Sequence, residues 1–395
     1  MVDEIEEKPK LVKSDNSRWF MPVIEFIQHR KITYDVGSHS FFEGRTNLTK
    51  KDLALQAKVN IRYGKRQMSM LQATAVVEDI MKEMRKQAVA QLADKIVAGD
   101  RTDDAELRRW LKELMVPVPD EEFENCVCVM KHWIWLVQRH ITGLPTSWHM
   151  MPIFWGGQGG GKSFQIERFL KCLGAFHDKA TFAIFTDPFG MKTMHYTFAL
   201  FIDEMAGVSR AEAGRIKTLM SSDYIGGRNM HSDDPRKLAR NASFIAATND
   251  PPPHGLGDTT GNRRFYSIEC KSERVEGPRQ ELFDSIDYMK IWRCVDYQSE
   301  ALVLPVLKSV QATQELTAQE DPFKEFIEQC TELDPAARTR ASELAAAYGR
   351  YLAERHWKNR VPHQKELAML VERYTDIEAV NPHNRMYFNG LRLVG

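Results

Sequence analysis

The chain has 395 residues, 43% of them hydrophobic, 27% charged and 10% aromatic, enough apolar material for two or three domains. Its 54 basic and 54 acidic residues cancel, which excludes binding of a polyanion through a global field and leaves only local patches. The six cysteines form no CxxC pair and no zinc spacing with histidine, and no apolar run reaches the ~18 residues of a membrane span, so free thiols in a soluble, intracellular protein are expected.

Residues 1–49 begin with a charged tail, then NSRWFMPVIEFIQHRKITYDVGSHSFFEGRTNLT combines a short helical patch with aromatic, turn-rich segments suited to a small hairpin. Over 50–143, apolar residues recur at three- and four-residue intervals through MLQATAVVEDIMKEMRKQAVAQLADKIVAG and again over 105–114 and 121–141, predicting a helical bundle that serves oligomerisation. From 144 to 306, the short apolar runs MPIFW, ATFAIF, FALFIDE, ASFIAATN and RRFYSIEC alternate with helical and polar stretches. That alternation predicts an α/β domain with a parallel sheet. Residues 307–321 read as a polar linker. In 322–395, helical patterns around 323–330, 340–355 and 363–374 precede two short strands about an NPHN turn, which predicts a winged-helix-like domain.

The densest chemical signal is GGQGGGKS, residues 156–163, between the MPIFW strand and a helical run. Gly156, Gly157, Gln158, Gly159, Gly160, Gly161, Lys162 and Ser163 fit G-x-x-x-x-G-K-[ST] without departure, the pattern of a loop that cradles the phosphates of ATP. Lys162 supplies a point charge to the β- and γ-phosphates, and Ser163 a ligand for Mg²⁺. Forty residues on, FALFIDE ends in Asp203, placed to hold the metal, and Glu204, placed to polarise the attacking water. The strand ASFIAATND ends in Asn249, able to bond both the γ-phosphate and that water, as the sensor asparagine does in AAA+-like ATPases. In GDTTGNRRFYSIE, the adjacent Arg263 and Arg264 point to opposite sides of a strand, and either is a candidate arginine finger for a neighbouring subunit. No NKxD guanine motif is present, and a small-molecule kinase needs neither the asparagine strand nor GNRRF.

GGQGGGKS, FALFIDEM, NASFIAATND and GDTTGNRRF, in this order, resemble the virulence-associated protein E family of superfamily 3 helicase-like ATPases of phages and mobile elements. The resemblance is specific over 150–270, looser over the preceding helices and weak over the last unit. It implies an AAA+-like core, a ring, usually hexameric, with ATP between subunits, and a pore hairpin gripping single-stranded or forked DNA in the cytoplasm of a bacterial host. The corresponding segment here contains Lys217, Arg228, His231, Arg236, Lys237 and Arg240, with turn residues in DYIGGRNMHSDDPRK suited to a hairpin tip. Lys217 has the alternative role of serving a neighbour's nucleotide. The function expected is an ATP-dependent replicative DNA helicase; the alternative is a DNA-dependent ATPase that loads or remodels without unwinding. No primase signature is present, so any primer synthesis falls to a separate protein. Trp133 and Trp135 in HWIWLVQRH read as core rather than as base-stacking residues. The basic excess over 338–373 suits either duplex DNA or a solvated face.

Overall fold

The computed structural model describes residues 17–63, 65–185, 190–204, 210–227, 236–249, 264–311, 322–355, 361–381 and 385–394. The chain divides into two compact units, Met1–Gln314 and Glu315–Gly395.

The first unit opens with helix α1 (Ser17–His29) and an antiparallel meander of β1 (Ile32–Asp35), β2 (Ser40–Glu43) and β3 (Thr46–Leu48). Helix α2 (Lys50–Asn60) starts at a capping box in which Thr49 and Asp52 each satisfy the other's backbone N–H. A two-stranded ribbon, β4 (Arg62–Tyr63) and β5 (Arg66–Gln67), leads into α3 (Met70–Ile96), which opens on a second box between Ser69 and Gln72. Trp19, Val23, Phe41, Leu53, Val77 and Ile80 close a core of their own around the first half of α3.

The second half of α3 belongs elsewhere. Leu92 and Ile96 join α4 (Ala105–Leu114) and α5 (Asp120–Thr142) in the largest core, which also takes in Phe154, Phe169 and Phe201. The region expected as one bundle over 50–143 is therefore shared between two cores. Helix α5 explains why: from Cys126 to Val137 most of its side chains are buried, and a helix apolar on all sides must be enclosed. Its Trp133 and Trp135 are core residues, with the Trp133 indole N–H donating to the Phe244 carbonyl at 2.7 Å.

The sheet is built from β6 (Met151–Trp155), β7 (His177–Ala180), β8 (Ala199–Asp203), β11 (Ser243–Thr248) and β12 (Phe265–Glu269), all parallel, in the order β12-β6-β11-β8-β7. Helices α6 (Lys162–Leu170), α7 (Gly190–Tyr196) and α8 (Arg210–Ser221) connect the strands, with the antiparallel hairpin β9 (Tyr224–Gly227) and β10 (Arg236–Ala239) between α8 and β11. The alternating side chains of β8 and β11 serve opposite faces. Phe201, Ile245 and Ala247 enter the largest core, whereas Leu200, Ile202, Phe244 and Ala246 enter a third core, with Met151, Ile216 and Phe265.

One expected strand is displaced. ATFAIF was to pair in the sheet, but the edge strand is the preceding HDKA, and Phe182–Phe185 form a 3₁₀ turn. An edge strand leaves side chains to solvent, so Asp178 and Lys179 are tolerated there, while Phe185 is better buried edge-on against Phe244. Helices α9 (Gly277–Asp284) and α10 (Tyr288–Arg293) come after β12; Trp292 of α10 stacks on Phe169 of α6 at 4.7 Å.

The second unit contains α11 (Pro322–Cys330), β13 (Thr331–Arg340), α12 (Ala341–Glu354), α13 (Gln364–Thr375), β14 (Ala379–Val380) and β15 (Tyr387–Leu393). Its antiparallel sheet has the order β13-β15-β14, and Phe323, Phe326, Leu344, Tyr348, Leu367, Phe388 and Leu391 fill the core. The three helices and the two terminal strands fall where their periodicity placed them. Strand β13 was not anticipated: TELDPAARTR lacks alternation, contains Pro335, and its pairing with β15 breaks between Leu333 and Arg338. Among the described residues no helix is long and apolar enough to cross a membrane.

Candidate active site

Strands β6, β11 and β8 lie side by side, with Trp155 level with Thr248 and Ala247 level with Asp203. The segments leaving these strands therefore meet at one carboxyl edge, the position where open parallel sheets bind ligands. Strand β6 runs into the loop from Gly156 to Gly161, which is pressed against the chain leaving β12. Gly157 N–H donates to Ser272 Oγ at 2.9 Å, and a Cβ at Gly160 would lie 2.0 Å from the Lys271 carbonyl oxygen. Gly161 caps α6 with φ of 81°, left-handed and without a side-chain cap, so the first N–H groups of α6 point into the loop for an anion. Gly156, Gly157, Gln158 and Gly159 form the rest of the loop.

Lys162 is buried at 5% exposure. Its Nζ donates to the Gly156 and Gly157 carbonyls at 2.7 and 2.9 Å and approaches Asn249 Oδ1 at 3.4 Å. Burial holds this ammonium below its ordinary range, against the pull of the nearby acids. Ser163 Oγ donates to Asp203 Oδ1 at 2.7 Å. Asp203 Oδ2 is 2.6 Å from Lys179 Nζ, which also meets Glu167 Oε1 at 2.8 Å. Glu204 sits at a φ of 78°, a conformation costing a non-glycine residue on the order of 1 kcal/mol. Three bonds hold it there: its N–H donates to the Ala247 carbonyl at 3.0 Å, and its carboxylate accepts from Asn249 Nδ2 at 3.0 Å and Thr248 Oγ1 at 3.3 Å. Asn249 thus bridges the lysine and the glutamate.

Lys162, Ser163, Asp203, Glu204 and Asn249, predicted from separate stretches, come together at this edge in two bonded sets, Lys162 with Asn249 and Glu204, and Ser163 with Asp203. The donors of the second set are hard oxygens, a hydroxyl beside a carboxylate, which suits a magnesium ion that takes few protein ligands. No cluster of three or more His, Cys, Asp or Glu able to hold a metal occurs among the described residues.

The remaining predicted residues are elsewhere. Arg264 precedes β12, at the amino end of the sheet, where its Nε donates to Ser221 Oγ at 2.8 Å beside a cavity of about 300 Å³ lined by Trp148, His149, Met150 and Leu307. The length of β12, about 16 Å at ~3.3 Å per residue, separates it from the loop of its own chain. Arg263 lies outside the described residues. Lys217 and Arg240, expected to contact DNA, are buried instead. Lys217 Nζ lies 5.7 Å from the centre of the Phe265 ring. Arg240 donates to the Ser222 and Ala242 carbonyls at 2.8 and 2.6 Å, and burial pushes it down to about 10. Arg240 thus ties the chain before β9 to the chain before β11 at the base of the hairpin, while Lys217 packs beside β12. Arg228 and His231 lie outside the described residues; Arg236 and Lys237 are placed on β10 by backbone only.

Sequence reasoning missed Lys179, Glu167, Thr248 and Ser272. Thr248 adjoins Asn249 and was within reach; the other three carry no local pattern.

The sequence profile of the virulence-associated protein E-like domain matches residues 100–321. No curated protein matches the chain. Among solved structures, an A-form apo structure of the NrS-1 C-terminal region is 13% identical, with a TM-score of 0.39 over 75% of this chain and 77% of that one. A second apo structure of that region is 12% identical, with a TM-score of 0.35 over 74% and 77%. With the profile spanning more than half of its length, the chain belongs to the virulence-associated protein E-like family.

Proposed function

We propose that this protein is an ATP-dependent, ring-forming replicative DNA helicase of a phage or mobile genetic element, translocating on single-stranded DNA in a bacterial cytoplasm. The observation that carries the reading is the convergence of Lys162, bonded to Asn249 and through it to Glu204, and of Ser163, bonded to Asp203, at the carboxyl ends of three adjacent parallel strands. An AAA+-like core is the assignment that this sheet and loop support.

Lys162 exchanges the Gly156 and Gly157 carbonyls for the β- and γ-phosphate oxygens of ATP, and the loop N–H groups wrap the same anion. Ser163 and Asp203 would hold Mg²⁺, which would supply positive charge against the phosphate oxygens. Glu204, steadied by Asn249 and Thr248, orients the attacking water and takes its proton. The position of Arg264 at the far end of β12 favours action on a neighbour's nucleotide, and Arg263 shares that candidacy. A homo-oligomer, taken as a hexamer, is the consequence of that role. The β9–β10 hairpin is the proposed DNA grip, the second unit a winged-helix-like domain, and priming the task of a separate primase.

The inward Lys217 and Arg240 favour a second reading, a DNA-dependent ATPase that loads or remodels without unwinding. Lys162→Ala tests the shared premise: hydrolysis should vanish while thermal unfolding stays cooperative. Hydrolysis retained in that variant contradicts the site.

A further inference from the structure

Lys179 has no part in the phosphate and water chemistry of the nucleotide site. It sits on the polar edge strand β7, its side chain half exposed, yet its ammonium lies between two carboxylates, 2.6 Å from Asp203 Oδ2 and 2.8 Å from Glu167 Oε1. Glu167 lies four residues after Ser163 on α6, so the two share a helix face. Asp203 presents its other oxygen to Ser163. The ammonium therefore occupies the point on which two carboxylates converge, beside a hydroxyl. Without it, Asp203, Glu167 and Ser163 make a hard-oxygen donor set of the kind a divalent cation takes.

We infer that Lys179 is a built-in counter-cation that closes the Asp203 side of the site to free divalent ions, so that the metal enters with the nucleotide rather than before it. The inference rests on the proposed nucleotide site. The pairing does two things at once. It fixes the Asp203 carboxylate with Oδ1 turned to Ser163, and it cancels the charge that would attract a lone metal ion. A metal arriving on a triphosphate brings its own oxygen ligands and needs only Oδ1 and the serine. A metal arriving alone needs both carboxylates, and the ammonium already holds them. Lys179 is thus a positioning residue that makes metal uptake conditional on nucleotide.

The test titrates Mn²⁺ alone into nucleotide-free protein and tracks free Mn²⁺ by electron paramagnetic resonance, in wild type, Lys179→Met, Lys179→Gln, Lys179→Arg and Glu167→Gln. Removing the charge in the Met and Gln variants should tighten Mn²⁺ binding about tenfold, the scale for one unit charge near a partly exposed site. Arginine should behave as wild type, and Glu167→Gln, which leaves the ammonium on Asp203, should bind no tighter. Unchanged or weaker binding in both neutral variants, or equal tightening in Glu167→Gln, overturns the inference. A parallel titration with AMP-PNP separates the levels. Nucleotide-dependent Mn²⁺ uptake by wild type, with no change in the nucleotide-free Lys179 variants, defeats this inference alone. Failure of wild type to take up Mn²⁺ with AMP-PNP defeats the nucleotide site and the inference with it.

Discussion

Gly160→Ala isolates the contact between the glycine loop 156–161 and the chain that leaves β12. The added methyl would stand 2.0 Å from the Lys271 carbonyl oxygen, whereas real Cβ contacts essentially never fall below 3.0 Å. The obstacle is backbone, so no side-chain rotation relieves it, and the loop or the 271–272 segment must give by about 1 Å. Taken up as strain, overpacking of this kind costs about 1–3 kcal/mol of stability. Taken up as loop movement, it displaces the N–H groups and Lys162 by a distance for which losses of about 100-fold in rate are ordinary. The assay is steady-state ATP hydrolysis beside urea unfolding of the same preparation. The expected result is a fall in kcat/KM by about two orders of magnitude with at most a modest loss of stability. Wild-type kcat/KM together with an unshifted unfolding midpoint would refute the argument, since both routes of relief would then be absent.

Arg240→Ala should behave as a folding variant. It removes two charged donors from the Ser222 and Ala242 carbonyls, a loss of about 1.5–3 kcal/mol per bond that thermal unfolding should register, whereas an unchanged melting temperature with weakened DNA binding would restore the residue to the DNA interface. Lys237→Ala should reduce stimulation of hydrolysis by DNA and leave basal turnover intact; equal loss of both contradicts the hairpin assignment. Acid should destabilise the protein through histidines kept neutral by burial. His132 is pushed down to about 4 and bonds the Trp148 carbonyl at 2.8 Å, so between that value and the ordinary 6.5 the unfolded chain binds the extra proton and stability falls as pH falls. His39, also near 4, and His149, near 3, act in the same direction. His132→Gln should therefore flatten the fall across pH 6.5 to 4 by up to one proton's slope, read from urea unfolding at a series of pH values, and an unchanged slope would mean that the folded and unfolded chains protonate this histidine alike.

The loop and its partners were legible because their chemistry is local. GGQGGGKS combines turn, charge and hydroxyl within eight residues, and FALFIDE and ASFIAATND each announce an apolar strand ending in a polar side chain. Their convergence is assured once the strands are parallel and adjacent. The edge strand HDKA was illegible because an edge needs no apolar run, and with it went Lys179. The destination of α5 was hidden for a different reason. Its periodicity says that it is buried but not against which partner, and the Trp133 bond to Phe244 spans 111 residues. Charge alone was similarly silent on direction: Lys217 and Arg240 sit in the same basic segment as Lys237, yet only packing reveals that the first two turn inward. TELDPAARTR became a strand through pairing with β15, a partner about fifty residues on.

The most direct test of the central claim is strand separation on a forked DNA duplex with ATP and magnesium, comparing wild type with Glu204→Gln. That substitution keeps the shape of the side chain but removes the carboxylate held by Asn249 and Thr248, and with it the proposed base for the attacking water. The account predicts strand release by wild type and none by the variant, with nucleotide still bound. Release by both would contradict the site. Hydrolysis stimulated by DNA without release by either would contradict the helicase and leave an ATPase that loads or remodels.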